Sequence, residues 1–125
     1  MTAFLMISIN SCGEHYSHLK SFQYHQVLVA KLPENNSVVG LIHFFEAPSL
    51  LTGKTVEIGG LIVDEKFRKH GVGRLIMEKA EKWGKSRGCE SVLLATQVKR
   101  TDAQLFYGQI GYQKVFQTYF MRKDI

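Results

Sequence analysis

Two glycines separated by one residue lie in a strongly basic segment, "RKHGVGR", at residues 68–74. Gly71 and Gly73 lead into a stretch with helical periodicity, so the segment is expected at a helix N-terminus. There the first backbone N–H groups have no acceptor inside the helix, and the helix dipole favours negative charge. The segment's side chains with a charge or a hydrogen-bonding group are Arg68, Lys69, His70 and Arg74. It could bind an anion such as pyrophosphate, but a turn that only reverses the chain explains the glycines equally well.

Two widespread phosphate-binding motifs are absent from the sequence. A Walker A loop requires G-x-x-x-x-G-K-[ST], and the chain contains no such string. The dinucleotide fingerprint G-x-G-x-x-G requires a third glycine at the position that Ile76 occupies. The glycine pair therefore does not identify its ligand by itself.

The residues before the basic segment predict strands. "HQVLVAK" (25–31), the turn-forming "PENNS" and "VVGLIHFFE" (38–46) together indicate a β-hairpin. "APSLLTGKT" (47–55) is typical of a longer loop, and "VEIGGLIV" (56–63) predicts a third strand. Gly59 and Gly60 inside that strand indicate a β-bulge or a close backbone approach.

The residues after the basic segment predict a strand–helix–strand crossover. An amphipathic helix is predicted from Gly73 to Arg87, with Gly88 as the residue that ends it. "ESVLLAT" (90–96) follows as a buried strand, which implies a right-handed parallel connection.

The remaining residues predict a second helix and a last strand. The helix is expected from Asp102 to Gln109, with Thr101 or Asp102 as its N-cap and Gly111 as its stop. "YQKVFQTYFMRK" (112–123) has strand-like composition. The order is β-β-β-α-β-α-β, a mixed α+β sheet in a single domain spanning residues 1–125.

Composition narrows the class of protein. The chain has 125 residues, a net charge of +5 and two cysteines without metal-binding spacing, which favours one globular domain, a reducing cytoplasm and an anionic partner. No apolar run reaches the roughly 20 residues that span a bilayer. The apolar start "MTAFLMISINSC" weakly resembles a lipoprotein signal but lacks a preceding Lys or Arg, so a first strand or buried segment is favoured. Membrane binding and secretion are not expected.

Two motifs at this separation resemble the GNAT superfamily of acyl-CoA-dependent N-acetyltransferases, over roughly residues 25–123. The first motif is the loop of the form V…[QR]-x-x-G-x-[GA], matched by Val63, Arg68, Gly71 and Gly73. The second is a later helix, matched by Ala103, Phe106, Tyr107, Gly111 and Tyr112. The resemblance implies a central mixed sheet with splayed strands at the cofactor site, acetyl-CoA as co-substrate and no metal.

The resemblance also implies where acetyl-CoA binds. Backbone amides of the glycine loop would hold the pyrophosphate, which assigns Arg68, Lys69, His70, Gly71, Val72, Gly73 and Arg74 to the cofactor. The pantetheine arm would run along Leu61, Ile62 and Val63, with Ala103 and Phe106 on the side of the second helix. Lys99 and Arg100 could meet the adenosine phosphates, although an exposed pair of cations is usually only a solvated surface.

The family's chemistry assigns two catalytic roles. Tyr107 would act as the acid for the departing thiolate, the alternative being an ordinary aromatic residue packed beside Phe106. Glu57 would act as the base for the amine, the alternative being a solvent-facing glutamate; His43 is a weaker choice, with a satisfied polar role favoured. His15, His18 and His25 have no supporting ligand pattern, so a metal site is not expected.

The chain departs from the family at its start. Only 24 residues precede "HQVLVAK", too few for the usual strand and two helices, and this puts the acceptor pocket in doubt; "YSHLKSF" (16–22) could be the end of the second helix. A truncated start or a second subunit, as in a homodimer, would account for it. Gln97 also stands where many relatives carry Asn.

The favoured function is an N-acetyltransferase, an acyltransferase acting on a primary amine of a small molecule or a protein. The alternative is a non-catalytic coenzyme-A-binding or regulatory module of the same fold. A nucleic-acid binder is a third reading, but the basic residues are scattered and no RNP-like string occurs, so no nucleic-acid partner is expected.

Overall fold

The computed structural model describes residues 5–8, 25–50 and 53–125, and five strands in this part of the chain form one sheet. The strands are β1 Leu5–Ser8, β2 His25–Lys31, β3 Val38–Ser49, β4 Gly53–Val63 and β5 Ser91–Leu94. They lie side by side in chain order; each pair from β1–β2 to β3–β4 is antiparallel, and β5 is parallel to β4. The predicted mixed sheet and first hairpin are confirmed, as is a strand near the N-terminus. The predictions for residues 9–24, which include Cys12, His15 and His18, lie outside the described residues.

The predicted loop over residues 47–55 is wrong. β3 continues to Ser49 and β4 begins at Gly53, and these two residues face each other across the hairpin. Pro48 and Gly53 suggested a loop because both residues usually interrupt strands. Here Gly53 has a φ of 74°, a left-handed conformation that glycine adopts readily, and it still pairs with Ser49 in the ladder.

Helix α1 (Val72–Ser86) forms the core with one face of the sheet. Val72, Ile76 and Ala80 are buried along its inner stripe, and Phe44 of β3 meets Trp83 edge to face at 5.2 Å between ring centroids. The predicted helix is confirmed with its first residue moved to Val72, and Gly88 follows it with a φ of 79°. The apolar period of the sequence therefore identifies the helix and its buried side correctly.

An ion cluster fixes the C-terminal end of α1. Glu46 of β3 accepts hydrogen bonds from Lys54 Nζ at 2.9 Å and from Arg87 Nε at 2.7 Å, and its side chain is only 6% exposed. The Arg87 guanidinium also lies 5.0 Å from the centre of the Trp83 ring. These contacts hydrogen-bond the carboxylate on both oxygens, and they lower the pKa of Glu46 below its ordinary value of 4.5, chiefly through Lys54 and then Arg87. The cluster fixes the C-terminal end of α1 near Lys54, at the start of β4. The N-terminus of α1 therefore lies toward the other end of β4, near Val63.

The chain divides into two compact units, Met1–Ala95 and Thr96–Ile125. The prediction of a single domain over all 125 residues stays a prediction. In the second unit, helix α2 spans Thr101–Gln109, and Gly111 after it has a φ of 104°. The predicted N-cap is wrong: the cap position is Arg100, and Asp102 lies inside the first turn, where its carboxylate accepts from Arg100 Nε at 3.3 Å.

The predicted last strand is also wrong. Residues 112–125 have no regular secondary structure, and large apolar side chains along them are exposed, Tyr119 at 93% and Phe120 at 85%. A strand is stabilised by its ladder partner, and a β-forming composition does not supply one.

The predicted strand over residues 90–96 is confirmed in a shorter form, β5. In the part of the chain that is described, no helix is long and apolar enough to cross a membrane.

Candidate functional site

Strand β4 contains a bulge at the predicted place. His43 of β3 pairs with Gly60, and Phe44 pairs with Ile58, so Gly59 is an extra residue without a partner in the ladder. A Cβ atom at Gly59 would collide with the imidazole of His43, which lies directly against the glycine backbone. A side chain here would displace either the bulge or the histidine, and glycine is therefore required by the close approach.

The ladder between β4 and β5 ends directly before the bulge. The parallel ladder runs from the pair Thr55–Ser91 to the pair Ile58–Leu94 and ends there, whereas β4 continues to Val63 paired with β3. Residues 59–63 thus lie beyond the β4–β5 ladder, and the polar backbone groups that they direct away from β3 have no partner in β5. The structure places Leu61, Ile62 and Val63, all predicted to bind the cofactor, on this open edge. The predicted splay of the two parallel strands is confirmed.

The basic loop connects this open edge to the start of α1. A single 3₁₀ turn, Glu65–Phe67, follows the strand, and two residues then adopt left-handed conformations, Lys69 with a φ of 65° and Gly71 with a φ of 84°. Gly71 is the N-cap of α1, and the first bond inside the helix joins Leu75 N–H to its carbonyl at 3.0 Å. The N–H groups of the first three helical residues therefore have no intrahelical acceptor.

Of the two glycines in the basic loop, only Gly71 has a positive φ. Gly73 lies in the first turn of α1 with helical geometry, and its place as a left-handed residue is taken by Lys69. No sequence signal marks Lys69, because lysine seldom adopts a positive φ.

The side chains of the loop leave its anion-binding character intact. The first turn of α1 contains no acidic residue, and Lys69, His70 and Arg74 are exposed. Arg68 Nε donates to the carbonyl of Val63 at 3.3 Å, and His70 Nδ1 lies 2.8 Å from the carbonyl of Arg68. The Arg68 side chain thus connects the loop to the end of β4. Because the first turn of α1 has no carboxylate, no side chain there competes with an anion for the helix N–H groups.

A second group of residues lies on the sheet face opposite α1. Glu57 of β4 pairs with Phe45 of β3, which pairs with His25 of β2, so the three side chains share one face. His25 Nδ1 and His43 Nε2 are 3.0 Å apart, and the Phe45 ring centroid lies 4.9 Å from His25 and 5.5 Å from His43. Burial, and secondarily the neighbouring His25, lower the pKa of His43 below its ordinary value of 6.5. At pH 7 the His43 ring is therefore neutral.

The sequence pattern does not reveal this histidine pair, because the two residues are 18 positions apart and lie on different strands. The register of the hairpin is the signal that finds it: once His25 is placed opposite Phe45, His43 lies two residues away on the same face. Among the residues that the structure describes, no three His, Cys, Asp or Glu side chains come together as a metal ion would require.

In the second unit, Tyr107 lies on α2 between two aromatic neighbours, Phe106 at 5.1 Å and Tyr112 at 6.0 Å between ring centroids. Burial raises the pKa of Tyr107 above its ordinary value of 10.0, with the charge of Arg100 acting in the opposite direction. The phenol is therefore protonated at neutral pH, as an acid must be. Ala103 is half-buried one turn earlier and Lys99 is exposed. The assigned roles of these residues, like that of Glu57, stay predictions.

Comparison with known proteins identifies relatives. Residues 6–112 match the family described as "Acetyltransferase (GNAT) family". An uncharacterised N-acetyltransferase of Chlorobaculum tepidum is 35% identical over 77 residues, which cover 62% of this chain and 46% of the relative. An aminoglycoside N(6')-acetyltransferase type 1 of Salmonella typhimurium is 26% identical over 68 residues, covering 54% of this chain and 47% of the relative. The matched regions thus span about half the length of both relatives.

A solved structure agrees with the fold. The aminoglycoside N-acetyltransferase AAC(6')-Iy in complex with CoA superposes with a TM-score of 0.81, covering 97% of this chain and 100% of that chain at 18% sequence identity. At this identity the similarity establishes the fold, and the predicted fold class is confirmed.

Proposed function

Because the chain belongs to the acetyltransferase (GNAT) family, we propose that it transfers an acetyl group from acetyl-CoA to a primary amine, by direct attack in a ternary complex. The observation that carries the proposal is the continuity of two features in one unit. The open edge of β4 beyond Gly59 leads through the basic loop directly to the N-terminus of α1. An extended polar arm that ends in a pyrophosphate fits such an edge followed by such an anion site.

Main-chain groups do most of the binding in this proposal. The N–H groups of Val72, Gly73 and Arg74, which have no intrahelical acceptor, would hold the pyrophosphate. Gly71 supplies the left-handed N-cap, with a φ of 84°, from which the helix begins. The open backbone groups of Leu61–Val63 would hydrogen-bond the amide groups of the pantetheine arm. When bound, acetyl-CoA supplies the activated thioester. The chain has to orient this thioester, remove a proton from the amine and return a proton to the leaving thiolate.

Proton management requires a base and an acid. A free alkylamine has a pKa of about 10.4, so the acceptor must lose a proton before it can attack at neutral pH. Glu57, the base predicted from the sequence, lies on the same sheet face as His43 and two residues before Gly59, and its carboxylate is proposed to attract and orient the ammonium form. Tyr107, protonated at neutral pH, is proposed as the acid that returns a proton to the leaving thiolate.

The acceptor is proposed to be a small-molecule amine, since relatives named as aminoglycoside acetyltransferases match more than half of this chain. Isothermal titration with acetyl-CoA tests the donor, and release of free thiol tests transfer. The panel of amines should hold an aminoglycoside, an amino sugar, a polyamine and a peptide with a free N-terminus. Saturable binding with amine-dependent thiol release is expected. Binding without release for every amine would contradict transfer and support the non-catalytic module, and absence of acetyl-CoA binding would remove the donor assignment itself.

A further inference from the structure

We propose that His43 and His25 form a proton relay that begins at the Gly59 bulge: His43 accepts the proton of the amine and His25 carries it to the next strand. The inference rests on the proposed acetyl transfer and extends it by assigning the base and the route of the proton. It arises from three contacts, one between the two imidazoles, one between His43 and Gly59, and one between both rings and Phe45.

The two imidazoles meet edge to edge. Their nitrogens are 3.0 Å apart, their centroids 5.3 Å apart and their planes 13° from parallel. The nitrogen separation accounts for most of the centroid distance, so the rings lie nearly in one plane, as an N–H···N hydrogen bond requires. Phe45 lies against both rings and limits their rotation. The pair is thus held in one geometry by a hydrogen bond and by an apolar neighbour.

The hydrogen bond determines which nitrogens remain for chemistry. Because His43 uses Nε2 toward His25 Nδ1, its other nitrogen, Nδ1, is the one that lies against Gly59. A single proton lies between the two rings. When it belongs to His43 Nε2, the lone pair of His43 Nδ1 is directed to the bulge, at the start of the open edge of β4.

The proton transfers balance with water as the final acceptor. The N–H bond of the ammonium breaks as an N–H bond forms at His43 Nδ1, and the amine keeps the electron pair with which it attacks. The Nε2 proton of His43 then passes to His25 Nδ1, and His25, which is only half-buried, gives the proton on its Nε2 to water. After the products leave, His25 Nε2 takes a proton from water, its Nδ1 proton returns to His43 Nε2, and His43 Nδ1 releases its proton to water. The original tautomers are then restored, and over the full cycle one proton has passed from the amine to solvent.

The groups that face His43 from neighbouring strands suit a neutral proton acceptor. On β2 the titratable neighbour is His25, and Val27 lies directly opposite; on β4 the opposite residue is Gly60, and Glu57 is the charged group on the same face. Burial and the nearby His25 keep His43 unprotonated at neutral pH, and the Glu57 carboxylate attracts a cationic amine to the same surface.

The first experiment compares pH–rate profiles of the wild type and His43→Gln. Gln retains a side chain that can hydrogen-bond His25 but cannot accept a proton at neutral pH. We expect kcat/KM to fall about 100-fold or more, with loss of the acidic limb of the profile, while the Kd for acetyl-CoA is unchanged. Lys31→Gln, at the other end of β2, serves as the control that should keep both the rate and the profile. An unchanged profile in His43→Gln would overturn the relay even if the rate fell.

Two further measurements separate chemistry from structure. His43→Ala should recover turnover when imidazole is added, whereas a purely structural histidine would not respond. His25→Phe keeps an aromatic ring against Phe45 but ends the relay, so kcat should fall with KM unchanged, and less than in His43→Gln. Long-range ¹⁵N–¹H spectra of the wild-type protein should show one proton shared between His43 Nε2 and His25 Nδ1; two independent rings would contradict the proposal. If acetyl-CoA does not bind the wild type, the proposed function fails, but the spectra still test the pair.

Discussion

Replacing Lys69 by glycine should stabilise the protein and weaken its affinity for acetyl-CoA. Lys69 has a φ of 65°, the left-handed conformation, which costs a residue with a Cβ roughly 1–2 kcal/mol. Glycine removes that cost, but it also gives the unfolded chain more conformational freedom, which destabilises the fold by about 0.4–1 kcal/mol. The difference is a net gain of about 0.5–1 kcal/mol, or an increase in Tm of roughly 2–5 °C for a chain of this size.

The same substitution removes a cation from the proposed anion site. Lys69 is exposed, and an exposed charge contributes about 0.2–1 kcal/mol to an ionic interaction. The Kd for acetyl-CoA should therefore increase by about 1.5- to 5-fold, and the effect should shrink as salt is added. Backbone strain concentrates at functional sites, so a strained residue that also carries a charge is expected at a binding site.

Lys66→Gly is the matched control. Lys66 lies three residues earlier, in the 3₁₀ turn, is also exposed and is not among the described residues with positive φ. Its backbone N–H donates a hydrogen bond to Asp64 Oδ1 at 2.9 Å, and the substitution keeps this bond. Glycine should lower the Tm here, because no strain is relieved. Thermal unfolding without ligand and calorimetric titration with acetyl-CoA give the two readouts. Equal changes of Tm in the two variants would refute the assignment of strain to Lys69, and unaltered affinity in Lys69→Gly would remove that side chain from the anion site.

Three other substitutions test separate parts of the molecule. Tyr107→Phe should reduce kcat at least 10-fold with little change in acetyl-CoA affinity; equal turnover in a thiol-release assay would exclude the acid role. Gly71→Val places a β-branched residue at a φ of 84°, so acetyl-CoA should bind about 10-fold more weakly or worse by calorimetry, and wild-type affinity would contradict the loop's role. Glu46 has a lowered pKa, so its stabilising contribution is present above its unfolded pKa and is lost as the pH falls through its folded pKa. The Tm of the wild type should therefore fall more steeply than that of Glu46→Gln when the pH is lowered from 7 to 4. Parallel curves would show that the ionised Glu46 carboxylate does not stabilise the fold.

The features that could be predicted from the sequence are those determined by local chemistry. The apolar stripe of α1, including Ile76 and Ala80, is visible because a helix places every third or fourth residue on one side. The bulge at Gly59 was expected because glycine inside an otherwise apolar strand has few other uses. The basic loop is a weaker case: its glycines and cations predict a helix N-terminus, but only the resemblance to the family assigns an anion to it.

The features that could not be predicted depend on distant partners. Pro48 and Gly53 have loop-forming character, yet pairing between β3 and β4 extends the hairpin through both. Residues 112–123 have strand-forming character but form no ladder in the structure. The contact between His25 and His43 depends on the register of two strands, and a shift of one residue would move the two rings to opposite faces.

The bulge connects the donor side of the proposed site with its acceptor side. Before it, Glu57 shares a face with Phe45; after it, Gly60 and Ile62 occupy that face, opposite His43 and Leu41. Strict alternation from Glu57 would instead have placed Leu61 on this face, so the one extra residue is what turns Leu61 toward α1 and leaves Ile62 66% exposed. The extra residue also lies where the β4–β5 ladder ends, so the open backbone edge begins beside His43. Gly59 thus has two consequences: it brings a neutral imidazole to the start of the open edge, and it sets which side chains face the amine.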